Sequence, residues 1–397
     1  MKNSKLKIRG LSIIRDYRYL MVIAMLGIVF TLFGLSPAIT AAEALFEEQY
    51  YEAVVINIVE SGQEQTDPDN WIVEQEVELR LLSGERQGET ITAKNSLSGT
   101  VGMDIDLQPG DRVIVYSILQ DNVIQESYIA ERVRAPYIKY LVLLFVVVLV
   151  VVGGLQGAKA LVGLGFTVGG IYYLLLPGLL KGYSPLPITI AVLIGVTLLT
   201  MLVIAGFTRK AAAATLGTLG GLLVAGFLAV QVGKLAFLRG LATEEERMLS
   251  MVENLPLDLQ GLLFAGILIG AVGAIMDVAM SIASSVEEVH MANPEMGPVE
   301  LMRSGMRVGR DIMGTMANTL ILAYAGGSLP FLMLYFAYQL PQAMIINSEL
   351  IGAEVVRALA GSIGLIIAVP ITAVVAGLLN RGSVENKAAG TLMDYTR

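Results

Sequence analysis

The sequence contains no cysteine and a single histidine, His290, among its 397 residues. Without cysteine the chain can form no disulfide bond, thiolate metal site or thiol nucleophile. One histidine excludes histidine-rich metal sites and catalytic triads of serine and histidine, and we expect His290 to be solvated. The sequence also lacks a P-loop pattern and any paired catalytic base and nucleophile. We therefore expect neither an enzyme nor a bound cofactor.

Charged residues are also scarce: they make up 16% of the chain against 55% hydrophobic residues, and the mean hydropathy is +0.67. A soluble domain of ordinary surface needs more charge, and several apolar runs reach the roughly 20 residues that cross a bilayer. The pattern predicts a polytopic α-helical membrane protein with about eight transmembrane helices, at 19–41, 138–158, 160–180, 187–207, 211–236, 259–285, 311–337 and 357–379. Small residues four apart, such as Gly217 and Gly221, predict close helix packing.

The charge of the chain is divided unequally along its length. Residues 43–134 hold 19 Asp and Glu against 6 Lys and Arg, whereas the rest of the chain is net basic. Positive segments beside membrane helices remain in the cytoplasm, so we expect both termini to lie inside. Four parts follow: a basic leader with the first helix (1–42), an outside domain (43–136), a seven-helix membrane domain (137–380) and a cytoplasmic tail (381–397). The small residues of SPAITAAEA (36–44) leave open whether the first helix is cleaved.

The outside domain has the pattern of β-strands rather than helices. In WIVEQEVELRLL (71–82), apolar residues alternate with Glu and Arg, which is the period of a half-buried strand. Four further segments, at 50–60, 88–95, 111–119 and 122–130, are of the same kind, and QPGD (108–111) is typical of a turn. Five short strands predict a small antiparallel β-barrel, and an OB-like barrel is one fold of this kind. Its acidic surface excludes nucleic acid, because phosphate binding needs Lys or Arg.

Polar residues enter the apolar sequence in a predicted helical hairpin between Gly270 and Gly327. The first helix breaks at Asn293-Pro294, and Pro298 begins the next. Counting outward from the turn places Asp277 and Asp311 at the same depth. Residues three or four apart share one face of a helix, so two polar rows are predicted. The first contains Asp277, Ser281, Ser284 and Glu288, and the second contains Asp311, Thr315 and Asn318. The candidate ligand- or ion-binding residues in these rows are Asp277, Ser281, Asp311, Thr315 and Asn318.

Other interpretations of these residues remain open. Thr315 and Asn318 could serve as hydrogen-bonding contacts between helices. Met280 and Met316 could add soft metal ligands, suited to Mn²⁺ better than Ca²⁺, or could simply fill space in the core. A structural ion network near the cytoplasmic boundary is a further interpretation, formed by Glu288, Arg303, Arg307 and Arg310.

At this hairpin the sequence resembles the YibE/F-like family of bacterial membrane proteins. The resemblance lies in GAIMDVAMSIASSVEEV, GRDIMGTMANTLILAYAGGSLP and GSIGLIIAVPITA, and covers roughly residues 135–380. The leader and outside domain are similar to the YibE arm of that family. The resemblance implies a multi-pass protein of the bacterial cytoplasmic membrane, in contact with membrane lipid and with a YibF-like chain as partner. A homo-oligomer is the alternative assembly. It implies no particular substrate.

Two functions fit the sequence. In the first, the protein is a transporter or channel for a small solute or cation, and the polar hairpin lines its path through Asp277, Asp311 and Asn318. In the second, it is a non-transporting membrane scaffold or envelope-interaction module whose outside β domain binds a partner. Polar residues become rare beyond Asn318, which keeps the second function open.

Overall fold

A computed structural model describes residues 47–67, 70–99, 104–121, 123–252 and 256–380. The predicted first span (19–41), its cleavage segment and the predicted tail (381–397) lie outside these residues. The chain divides into two compact units, one that ends at Leu149 and one that begins at Val150. The first contains the β-strands, and the second contains most of the helices.

The first unit is built around a closed β-barrel of five strands. Around the barrel the strands follow the order β1-β2-β3-β5-β4, and β4 pairs with β1 to close it. The predicted number of five strands is confirmed, but β1 is not short, since it spans 21 residues. The strands are β1 (Glu47–Asp67), β2 (Asn70–Leu81), β3 (Thr90–Leu97), β4 (Arg112–Gln120) and β5 (Val123–Arg132).

One strand pair departs from the predicted antiparallel barrel. β3 and β5 run parallel, with Lys94 opposite Tyr128, whereas the other four pairs are antiparallel. The reason is geometric: strand direction cannot alternate all the way around a ring with an odd number of members. A closed barrel of five strands therefore needs at least one parallel pair.

The alternation in β2 fills the barrel core. Val77, Leu79 and Leu81 are completely buried, whereas Glu76 and Glu78 are exposed on the outside. The predicted QPGD turn is also present, since the Asp111 N–H donates to the Gln108 carbonyl at 3.0 Å. Gly110 has φ 96° in this turn, a left-handed conformation that glycine adopts without a steric penalty.

Helices make up the rest of the described chain. A π-helical turn, Gly170–Leu175, joins the first two helices. The helices are α1 (Ala135–Gly169), α2 (Leu176–Leu180), α3 (Pro185–Ala205), α4 (Arg209–Leu235), α5 (Glu244–Ser250), α6 (Leu259–Ala292), α7 (Pro298–Gly327), α8 (Leu329–Ala337), α9 (Gln342–Ile346) and α10 (Glu349–Leu379).

The predicted number of eight spans is not confirmed. Among the described residues, five helical segments are long and apolar enough to cross a bilayer, or six if the bent pair α7–α8 counts as one span. The predicted spans 138–158 and 160–180 fall in a single 46-residue segment, Ala135–Leu180. Its helical geometry is interrupted at Gly154, where φ is 53° and ψ is −131°.

The predicted span 311–337 is bent. The helix begins at Pro298 and turns by 54° between α7 and α8, around Ser328. Pro330, two residues later, has no N–H with which to continue the hydrogen-bonding pattern of α7. The Ser328 hydroxyl donates to the Tyr324 carbonyl at 3.0 Å, which satisfies one of the carbonyls at the end of α7.

The helices α4 and α10 pack with their backbones in close contact. A Cβ atom placed on Gly221 would lie 2.6 Å from the Gly364 carbonyl oxygen, and one placed on Gly217 would lie 2.9 Å from the Thr372 Cβ atom. The prediction that small residues permit close packing here is confirmed. With α6 these helices form the main core, in which Ile275 is completely buried.

Candidate functional site

The first polar row lies on α6, on the side that faces away from the core. Asp277, Ser281 and Glu288 are exposed on the surface of the chain, and Ser284 is half-buried. Ile275, on the opposite face, is completely buried. The predicted row is therefore one continuous stripe. Its three exposed positions are not covered by any other described part of the second unit.

The second polar row lies on α7, again away from the core. Asp311, Thr315 and Asn318 are exposed, and the Thr315 hydroxyl donates within its own helix, to the Ile312 carbonyl at 2.9 Å. The other face of α7 is buried and includes two glycines, Gly305 and Gly309. A Cβ atom placed on Gly305 would lie 2.8 Å from the Val286 side chain, so α7 packs closely on α6.

Packing between the two helices sets the alignment of the rows. A Cβ atom placed on Gly309 would lie 3.1 Å from the Ile282 side chain. Because the helices run antiparallel, stepping from Ile282 back to Asp277 corresponds to stepping from Gly309 forward to Gly314. Asp277 therefore lies level with Gly314 and not with Asp311. At 1.5 Å per residue the two aspartates are offset by about 4.5 Å along the helices, close to one turn.

Three of the predicted site residues have no polar partner. Within the described chain, the side chains of Asp277, Asp311 and Asn318 form no hydrogen bond and no ion pair. The described residues also contain no cluster of three or more His, Asp or Glu that could hold a metal ion. These polar groups are therefore available for contacts that lie outside the single chain.

The candidate methionine ligands have mainly a packing role. Met280 and Met316 are half-buried and contact the main apolar core, as do their neighbours Met276 and Met313. This arrangement favours the interpretation of these side chains as core filler. Oxygen atoms of Asp277, Asp311 and Asn318 are the more accessible ligands.

The predicted ion network is not formed within one chain. In the described structure Glu288 makes no ion pair with Arg303, Arg307 or Arg310, although all four side chains are exposed. The ion pair that does form nearby joins Lys210 of α4 to the adjacent acid, Glu287, at 2.9 Å.

His290, at the same end of α6, is half-buried rather than fully solvated. Its Nδ1 atom is buried and has no partner among the described residues. The expectation that His290 is solvated is therefore wrong for this nitrogen.

The opposite end of the bundle contains a feature that the sequence does not reveal. The Glu349 carboxylate accepts hydrogen bonds from the Arg239 backbone N–H at 2.6 Å and from its guanidinium at 3.1 Å. Two cavities, of about 440 and 660 Å³, are both lined by Arg239 and Glu349. The partners are 110 residues apart, so no local spacing could have indicated the contact.

The outside of the barrel has a second candidate surface, a row of aromatic and charged side chains that follows the strand register. Tyr50 and Tyr116 are opposite each other with ring centroids 5.3 Å apart, and Tyr116 is in turn opposite Tyr128. The Lys94 ammonium lies 5.9 Å from the Tyr128 ring centroid and 3.5 Å from the Glu126 carboxylate.

These groups shift one another's protonation. The Tyr128 hydroxyl donates to Glu126 at 2.6 Å, and this bond, together with the Lys94 charge, lowers the pKa of the Glu126 carboxyl. The Glu126 charge in turn raises the pKa of Lys94. The row is thus charged and aromatic at neutral pH.

These features together define a helical membrane protein that carries a five-stranded β-barrel domain. The chain belongs to the YibE/F-like family: residues 141–382 match YibE/F-like protein, and residues 48–131 match the YibE/F family N-terminal domain. The resemblance seen in the sequence is confirmed, and it extends to the β-barrel domain. No curated protein and no solved structure matches the chain.

Proposed function

We propose that the protein is a transporter or channel subunit for a small solute or cation, and that the polar rows of α6 and α7 line its path. The observation that carries the proposal is the position of Asp277, Asp311 and Asn318. They lie on membrane-length helices, face away from the core and have no polar partner in the described chain. Ionisable groups at membrane depth are costly and are retained where they serve a function or line water.

The chemistry of the rows favours a hard cation or a proton. The accessible atoms are carboxylate, amide and hydroxyl oxygens, the ligands that hard cations prefer. The methionine sulfurs contact the core instead, which weakens the case for a soft metal. Because the aspartates are offset by about one turn, we propose that they act in sequence along the path rather than as one shared site.

The same proposal includes the orientation of the chain in the bacterial cytoplasmic membrane. Lys159 donates to the Ile204 carbonyl at 3.1 Å and Lys210 pairs with Glu287, so several basic residues meet at one end of the bundle. The positive-inside rule assigns that end to the cytoplasm. The 46-residue segment Ala135–Leu180 is about twice the length of one crossing, and we propose that it crosses twice. Residues 43–136 then lie outside and both termini inside.

Measuring transport in purified, reconstituted protein tests the proposal. Asp277→Asn and Asp311→Asn keep the size of the side chain and remove its charge, so flux should stop while insertion and folding remain intact. Thr315→Ala is the matched control in the same row. It should be mild, because the Thr315 hydroxyl carries no charge and donates within its own helix, to the Ile312 carbonyl at 2.9 Å. Full flux in both asparagine variants would refute the transport path.

A second candidate function is a membrane scaffold whose outside domain binds a partner. The exposed row around Tyr50 and Tyr128 favours it, because aromatic side chains are enriched at protein interfaces. The strand order, with its parallel β3–β5 pair, supports the OB-like assignment, and the acidic surface supports a partner other than nucleic acid. A YibF-like chain is the partner to test. Loss of its co-purification in Tyr50→Ala, with transport unchanged, would favour this function over the first.

A further inference from the structure

The unpaired charges at the α6–α7 turn point to a second copy of this chain. Glu288 is exposed on α6, and Arg303, Arg307 and Arg310 are exposed on α7. In the described chain none of the four has an ion-pair partner. At this end of the hairpin α6 therefore presents an unpaired acid and α7 presents unpaired bases, which could pair when two hairpins meet.

Depth in the membrane makes this complementarity specific. The packing of Gly305 against Val286 places Arg303 level with Glu288, because each helix advances two residues from that contact toward the turn. Two copies related by a twofold axis along the membrane normal keep every residue at its own depth. In such a symmetric pair each contact occurs twice, once in each direction. Glu288 of one copy can therefore meet Arg303 of the other, and the reverse.

We propose that two copies of this chain associate through the exposed faces of α6 and α7, with Glu288 of each copy paired with Arg303 of the other. Association covers the exposed polar rows, so that Asp277 and Asp311 of both copies line one enclosed space. The enclosed path rests on the function proposed above, whereas the association rests on the charges and their depths alone.

Charge exchange between differently tagged copies tests the association. Glu288→Arg in both copies, or Arg303→Glu in both copies, places like charges at both contacts. Recovery of one tagged copy with the other should then fall roughly tenfold. When one copy carries Glu288→Arg and the other carries Arg303→Glu, both contacts again join opposite charges. Recovery should then return to the wild-type level.

The pair Lys210–Glu287 is a matched control, because it forms within one chain at 2.9 Å. Any defect that Glu287→Arg or Lys210→Glu causes alone should be reversed only when both substitutions are in the same copy. If the Glu288 and Arg303 variants also compensate only within one copy, the pair is internal and the proposed interface is wrong. Equal recovery in all charge variants would overturn it as well.

A crosslink provides a second measurement with native charges. The chain has no cysteine, so Ser284→Cys in one tagged copy and Ser304→Cys in the other leave one thiol per chain. The depths of Ser284 and Ser304 in the membrane differ by no more than about one helical turn. A short bifunctional reagent should join the two tagged copies. Leu223→Cys, on the exposed side of α4, should give no crosslinked product with Ser284→Cys or with Ser304→Cys in the other copy. Absence of the Ser284–Ser304 product in well-inserted protein would overturn the interface. Association without transport would refute the proposed function and leave the interface standing.

Discussion

The contact between α4 and α10 allows a prediction of membrane-domain stability. A Cβ atom on Gly221 would lie 2.6 Å from the Gly364 carbonyl oxygen and 2.8 Å from the Ala368 Cβ atom. Neither neighbour is the flexible end of a side chain, so Gly221→Ala must separate the helices. Overpacking costs about 1–3 kcal/mol. Because this clash is with backbone, we expect about 2–3 kcal/mol, of which alanine regains about 1 kcal/mol through its helix propensity. We expect a net loss of about 1–2 kcal/mol in the free energy of unfolding.

The assay is reversible unfolding of the purified protein in mixed detergent micelles, with Gly195→Ala as control. A Cβ atom on Gly195 meets nothing within 4 Å, so that variant should be as stable as wild type or slightly more stable. Gly221→Ala should shift the unfolding equilibrium about fivefold to thirtyfold toward the unfolded state. Equal stability of the two variants would show that the helices are not in close backbone contact.

Three further predictions concern the β-barrel domain and the topology. Residues 43–134, produced alone, should give the circular dichroism of a folded β-rich domain, and a random-coil spectrum would contradict the domain assignment. The Ser98 backbone N–H lowers the pKa of Asp104, and the Tyr128 hydroxyl lowers that of Glu126. Carboxyls with a lowered folded pKa add stability above their unfolded values of 3.8 and 4.5, so the unfolding midpoint of the fragment should fall as the pH drops below about 4.5. Glu126→Gln should flatten that dependence, and an unchanged profile would argue against the contact. Gln87→Cys should react with an impermeant thiol reagent added to intact cells, whereas Ser304→Cys should react only after lysis; the reverse result would invert the proposed orientation.

The barrel was predictable from sequence because its signal is local. In β2, Val77 and Leu79 alternate with Glu76 and Glu78, and this period alone identifies a strand with one buried face. Closure of the ring was not predictable in the same way. It depends on pairing between β1 and β4, whose residues are distant in sequence, and it forces the parallel β3–β5 pair.

The polar hairpin was predicted in composition but not in alignment. The spacing of Asp277, Ser281 and Glu288 defines a single face of α6, as the structure has it. Their depth relative to α7 depends on where small residues let the helices touch. Gly309 meets Ile282, and that contact shifts the rows by about one turn from the alignment counted from the turn. Sequence counting cannot anticipate such a shift, because it assumes equal helix lengths on both sides of the turn.

Cation flux into proteoliposomes tests the central claim most directly. Purified wild-type protein, Asp277→Asn, Asp311→Asn and Thr315→Ala would be reconstituted in equal amounts and assayed with H⁺, Na⁺, K⁺, Mg²⁺ and Mn²⁺. If the polar rows line a transport path, wild type and Thr315→Ala should carry at least one of these cations, and both asparagine variants should carry none. Equal flux in wild type and both asparagine variants, in protein that remains folded, would contradict the account.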